Sequence, residues 1–438
     1  MSSSAENQSG LANLAESSEP PEPEPVKSGY LALLRDRNFV LFWGGQSVSM
    51  IGNGVYQVGL AWSVYQLTGS TADMGLVLAA NAVPQVVLVL FGGTLADRFS
   101  RRRVVLTADT AAAVVTWALC VAAGRHDLSL PLLTTAAVAL GIVSAFYRPA
   151  YSAMNRDLIP KQHFQAANAL LSTSANVSYV AGPALGGVAY GLGGPGLAFG
   201  LDAVSFSVAV VAMIATRVPA ARAAKDEQGN SMWQDLVLGL KYTASTGWLL
   251  LILLVSMIAN FACLAPFFVL LPEIVRAHHY GVGTLGFLNS ADVLTSIVAA
   301  LIIGKIKIVR VSYAFLSLAS LIGVGTIVIG LMADRQAALY VGAAILGIGM
   351  ASEVLENTIV QLRVPEHLLS RVYSVSIVVS FALLPLGLAA SGFLARWAGS
   401  SAVLAGGGAL LVLFCLCASM LRSVRGIARP AGRHRSRR

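Results

Sequence analysis

The sequence predicts an all-α integral membrane protein of twelve transmembrane helices arranged as two pseudo-symmetric six-helix bundles. Three observations carry that prediction. The 438 residues are 56% hydrophobic and only 12% charged, whereas a soluble domain carries roughly 25% charged residues, so the chain holds more apolar side chain than a water-soluble globule can hide. Twelve apolar runs approach or exceed the ~20 residues that a helix needs to cross the bilayer core. The two halves of the chain also repeat one another.

In chain order, residues 1–30 are rich in Ser, Glu and Pro and hold five of the 21 acids. They read as a disordered cytoplasmic tail without a signal peptide. The first bundle, 31–216, carries spans near 39–66, 74–96, 104–123, 130–150, 166–190 and 196–216. The first and fifth are long enough that they must tilt or protrude. A cytoplasmic linker over 217–246 leads to the second bundle, 247–421, with spans near 247–271, 284–304, 311–332, 337–355, 372–394 and 401–421. A basic cytoplasmic tail, 422–438, closes the chain. With the N-terminus inside, all but four of the 30 Lys and Arg fall on the cytoplasmic side, leaving Arg125, Arg276, Arg335 and Arg396 outside. That asymmetry orients a multi-pass protein in the cytoplasmic (inner) membrane with both termini in the cytoplasm. It also accounts for the net charge of +9, which is a topology signal and not a nucleic-acid footprint.

The repeat emerges when the halves are overlaid. In one register Gly182 and Gly187 fall on Gly387 and Gly392, and in another Gly75 and Gly93 fall on Gly286 and Gly304. A six-helix unit repeated in one orientation, with a site between the halves at mid-membrane, is the architecture of alternating-access carriers. Cys120, Cys263, Cys415 and Cys417 lie in apolar runs without metal-ligand spacing and read as reduced packing residues. No nucleotide loop, HExxH or GxSxG signature is present, so the sequence implies no enzyme, no cofactor and no metal.

After the second span stands Gly92-Gly93-Thr94-Leu95-Ala96-Asp97-Arg98-Phe99-Ser100-Arg101-Arg102-Arg103. It resembles the G-x-x-x-D-R-x-x-R-R signature of the major facilitator superfamily. Tyr65 to Ser70, Pro149 to Pro160 and Ala166 to Leu170 resemble the drug:proton antiporter branch that contains enterobactin exporters and macrolide or multidrug effluxers. Gly182-Pro183-Ala184-Leu185-Gly186-Gly187 is similar to the antiporter motif G-x-x-x-G-P-x-x-G-G, with Ser178 in place of its first glycine. The resemblance implies the major facilitator fold and export with proton exchange. It also implies a gate made by Gly93, Asp97, Arg98, Arg101 and Arg102, latching an outward-facing state as span two docks on span eleven. We expect Arg148 to pair with Asp97 in that gate, because the repeat places it opposite Glu353 near the same membrane surface. A solvent-seeking Arg is the alternative.

Ionisable groups at membrane depth are costly and mark function. Asp292, about 12 Å into span eight at 1.5 Å per residue, is the first candidate for proton coupling, followed by Asp109 and Asp202. The repeat sets Asn81 opposite Asp292. Gln46, Ser49, Asn53 and Gln57 recur on one face of span one, and a polar stripe cannot face lipid cheaply. Relatives of this branch often carry an acid near Asn53, so the neutral residue here departs from their pattern. Asn176 and Tyr179 in span five, with Asn260, Phe261, Phe267 and Phe268 in span seven, complete a candidate cavity of aromatic faces and uncharged hydrogen-bonding groups. That lining suits a bulky hydrophobic or amphipathic organic molecule: a drug, antibiotic or siderophore-like compound. The expected partners are that substrate, protons and the bilayer, the protein acting as a monomer. Uptake or facilitated diffusion of a small organic solute is the alternative.

Overall fold

The computed structural model describes residues 26–96, 100–217, 232–306, 308 and 310–421, and every regular element among them is helical. Helix α1 (Val26–Arg35) precedes α2 (Arg37–Thr68), α3 (Thr71–Ala96), α4 (Arg101–Gly124), α5 (Leu130–Leu158) and α6 (Phe164–Ala215). The second half holds α7 (Met232–Ser245), α8 (Gly247–Ala259), a π-helical turn (Asn260–Leu264), α9 (Ala265–Ala277), α10 (Val282–Lys305) and α11 (Val311–Leu331). It ends with α12 (Gln336–Met350), α13 (Ser352–Arg363), α14 (Glu366–Phe381), α15 (Leu384–Ala398) and α16 (Ser400–Met420). Helix α1 starts inside the segment expected to be a tail, and α7 occupies part of the expected linker. Asp97 and Arg98 of the gate motif, and the basic C-terminal tail, lie outside the described residues.

Local chemistry sets the ends. Asp36 caps α2 by accepting from the backbone N–H of Asn38 at 2.8 Å and of Phe39 at 3.3 Å, satisfying donors that the first turn leaves free. At the far end Gly69 takes φ +63° and returns its N–H to the Tyr65 carbonyl, a left-handed stop that glycine adopts without steric cost. Among the described residues, ten helical segments are long and apolar enough to cross a membrane. One of them, α6, runs 52 residues, about 78 Å at 1.5 Å per residue, more than twice the ~30 Å core. It breaks at Gly193-Gly194 and so supplies two crossings, the fifth and sixth of the sequence reading. Helix α2 is not among the ten because Gln46, Ser49, Asn53 and Gln57 dilute its hydropathy, yet its 32 residues lie against α6. With both counted, the bundle reaches the twelve expected crossings.

The halves meet chiefly through two helix pairs, α3 with α15 and α6 with α10. A side chain on Gly75 would strike the Leu388 carbonyl oxygen, and one on Gly286 would strike that of Pro183. Likewise Gly392 lies on Thr71 and Ala72, and Gly187 on Val282 and Gly283. Two of the four glycine pairs in the sequence overlay, Gly75 with Gly286 and Gly187 with Gly392, thus make matching contacts in the two interfaces. Small residues permit this approach because van der Waals contact, not hydrophobic transfer, drives association within lipid. Polar contacts add to it: Arg396 donates to Ser70 at 2.7 Å, Thr71 to the Gly392 carbonyl at 3.2 Å and Arg276 to the Tyr65 carbonyl at 3.3 Å. All of these lie at the end of the bundle opposite the start of α2, where Asn38 accepts from the backbone N–H of Arg217 after α6.

Candidate functional site

Beneath that packed end lies a cavity of about 570 Å³ between the halves, within the usual range of small-molecule sites. Its polar lining comes from both sides. The first half supplies Tyr56 and Gln57 from α2, Asn81 and Gln85 from α3, Ser144 and Arg148 from α5, and Tyr179 from α6. The second supplies Asn289 and Asp292 from α10, while Phe267 and Phe268 from α9 meet edge to face at 5.6 Å. Asn81 donates to the Ala137 carbonyl at 2.9 Å and accepts from Gln85 at 2.8 Å, which fixes both amides on the wall. Asp292 is half-buried, and its Oδ1 has no hydrogen-bond partner. Arg148 is exposed towards the same space, so one cation and one acid face a mainly apolar chamber.

Of the residues expected in the cavity, Gln57, Asn81, Tyr179 and Phe267 line it, together with Asp292, Arg148 and Pro183. Gln46, Ser49, Asn53, Asn176 and Phe261 do not. Gln46 is buried, donating to Asp109 Oδ2 at 2.8 Å and accepting from the Tyr147 hydroxyl. Helix α2 therefore presents one stripe to different neighbours along its length: its early turns meet α4 and α5, and only the later Gln57 reaches the chamber. Ser49 is buried, Asn53 donates to the Ser49 carbonyl, Asn176 is exposed outside the lining, and Phe261 packs against Gly387. Asn260 lines a second, smaller cavity.

Asp109 and Asp202 are both enclosed within the first half. Neither carboxylate oxygen of Asp202 has a partner, and the hydroxyl of Tyr56, which lines the main cavity, has none either. In the gate motif Gly93 lies in α3, while Arg102 donates to the Ile214 carbonyl at 3.0 Å. It thus caps the C-terminal end of α6, where free carbonyls attract a cation. Gly182, Gly186 and Pro183 pack α6 on α2, and Gly187 packs it on α10. The polar lining residues that sequence reasoning missed are Gln85, Asn289, Tyr56 and Ser144. The first two sit four residues after Asn81 and three before Asp292, so helical spacing alone would place them on the same face. Among the described residues no cluster of His, Cys, Asp and Glu could hold a metal, and the four cysteines are free.

Residues 28–429 match the family described as transmembrane secretion effector, within the major facilitator superfamily. The chain belongs to this family. The multidrug efflux pump Tap of Mycobacterium tuberculosis is 26% identical over 364 residues, spanning 80% of this chain and 84% of the pump. Macrolide efflux protein A of Streptococcus pyogenes is 20% identical over 399 residues, 88% and 96% of the two chains. The enterobactin exporter EntS of Citrobacter koseri is 24% identical over 328 residues, 74% and 77%. Solved structures share the fold. A bacterial homologue of the lysosomal transporter Spinster, inward-facing and unoccupied, superposes with TM-score 0.64 at 14% identity over 93% of this chain and 98% of its own. A variant of the nucleoside transporter NupG gives 0.66 at 12% identity over 87% and 99%. This transmembrane secretion effector family member is accordingly a multi-pass membrane transporter of small organic molecules, not an enzyme.

Proposed function

We propose that the protein exports a hydrophobic or amphipathic organic compound across the cytoplasmic membrane in exchange for protons, by alternating access between its two six-helix halves. The observation that carries this reading is the chamber between the halves, aromatic and amide-lined, with Asp292 on one wall and Arg148 on another. The relatives' efflux of drugs, macrolides and enterobactin supports the direction and the substrate class. The termini lie in the cytoplasm, as the Lys and Arg distribution favours. The packed end is then the outer gate, and the conformation is inward-facing. Asp292 takes up a proton, loses its charge and thereby changes its affinity for the substrate. Asp109 and Asp202 are the next candidates for that step. Gly93, Asp97, Arg98, Arg101, Arg102 and Arg148 form the inner gate that closes in the other state, and the protein works as a monomer.

The test is dissipation of a pH gradient in inside-out vesicles challenged with antibiotics, dyes and siderophores, beside Asp292→Asn. A compound that collapses the gradient only with wild-type protein is the expected result. Retained coupling in the variant would remove Asp292 from the mechanism. Accumulation in cells regardless of the gradient's sign would replace export by uptake or facilitated diffusion.

A further inference from the structure

The second cavity, about 160 Å³, lies wholly within the second half, among α8, its π-helical turn, α11, α13 and α14. It is too small for the organic molecules that occupy sites of ~300–1,000 Å³, but has room for a few water-sized groups at ~30 Å³ each. Three of its polar side chains have already spent their donors. Ser256 spends its proton on Glu356 Oε2 at 2.7 Å. The Asn260 amide nitrogen spends its protons on the carbonyls of Ser256 at 2.9 Å and Ser380 at 3.1 Å, which fixes the amide with its oxygen unspent. Tyr373 donates to the Asn357 carbonyl at 3.3 Å. These donors are committed, which leaves oxygen lone pairs on Ser256, Asn260 and Glu356. Ser376, only 8% exposed and lining the same cavity, carries a hydroxyl with no partner at all. Among the described residues no Lys, Arg or His lines the cavity.

A pocket with free oxygen lone pairs and a carboxylate, and no basic side chain among its described lining, fits a cation and repels an anion. Carboxylate, hydroxyl and amide oxygens are hard ligands that suit alkali and alkaline-earth ions. Glu353 on the rim is exposed, leaving Glu356 as the one half-buried acid, and a single inner carboxylate balances one positive charge. The π-helical turn widens the backbone beside Asn260, and such turns recur at functional sites.

We propose that Glu356, Ser256, Asn260 and Ser376 form a binding site for a sodium-sized monovalent cation inside the second half, separate from the central chamber. The site stands on this oxygen set and not on the export reading. The test is the melting temperature of the purified full chain in NaCl against choline chloride at equal ionic strength. The expected result is a saturable upward shift in NaCl, since an ion that binds only the folded state stabilises it. Glu356→Gln should abolish the shift, Ser376→Ala should move its midpoint to higher NaCl, and Asp292→Asn should leave it intact. Identical melting in the two salts would overturn the proposal. So would an undiminished sodium shift in both Glu356→Gln and Ser376→Ala, or a response to acid alone with none to sodium. Should Glu356→Gln fail to fold, Ser256→Ala and Ser376→Ala give the same reading. Failure of the vesicle transport assay leaves this binding result untouched, so the two readings fail separately.

Discussion

Asp109 accepts from Gln46, and Gln46 accepts in turn from Tyr147, so one amide joins α2, α4 and α5 inside the first half. Removing the amide strands a buried carboxylate. Gln46→Leu should therefore cost about 1–3 kcal/mol, read as a lower melting temperature in detergent. The double variant Gln46→Leu with Asp109→Leu should recover part of the loss, because a buried charge without its partner is worse than no charge. Equal melting of wild type and Gln46→Leu would show that the bond contributes nothing. The same residues show what sequence can reach at this scale. That Gln46, Ser49, Asn53 and Gln57 share a face follows from helical periodicity. Which neighbour each meets along a 32-residue helix depends on how α2 lies against α4, α5 and α6, and no local pattern encodes that.

At the scale of elements, the turn inside α6 is the feature most dependent on one residue. Gly194 has φ +63° and ψ −160°, a region essentially reserved for glycine. Gly194→Ala should destabilise the protein by about 1–3 kcal/mol. Gly406→Ala, on a helix where the added methyl meets open space, should not lower the melting temperature. Equal behaviour of the two variants would mean that the break at 193–194 is not held by its backbone conformation. Here the sequence reading placed spans five and six correctly by hydropathy, since Gly191 to Gly196 interrupts the apolar run. The π-helical turn at Asn260–Leu264 and the break between α12 and α13 were not legible. Both sit inside continuous apolar or mixed sequence, where nothing in composition separates one helical hydrogen-bond register from another.

At the scale of the molecule, closure at one end rests on glycine contacts reinforced by Arg276 and Arg396, the latter bonded to Ser70 and the former stacked over the Tyr65 ring at 5.5 Å. The double variant Arg276→Ala with Arg396→Ala should shift the population away from this conformation. In a background with Cys120 and Cys417 replaced by Ser, Asn289→Cys should then react faster with an impermeant thiol reagent added from the side of those arginines. Unaltered reactivity would show that the arginines do not hold the gate. Gly75→Val should act in the same direction and slow transport, because its side chain strikes the Leu388 carbonyl. By itself the sequence determined the membrane class, the run of spans, the twofold repeat and the glycines that pair across it, because hydropathy and small-residue spacing are written residue by residue. Only the tertiary structure decided which polar groups share a cavity. Asp292 and Arg148 face one chamber while Gln46, Asp109 and Asp202 are sealed into the first half, because helix tilt and rotation are set by packing among all the helices at once.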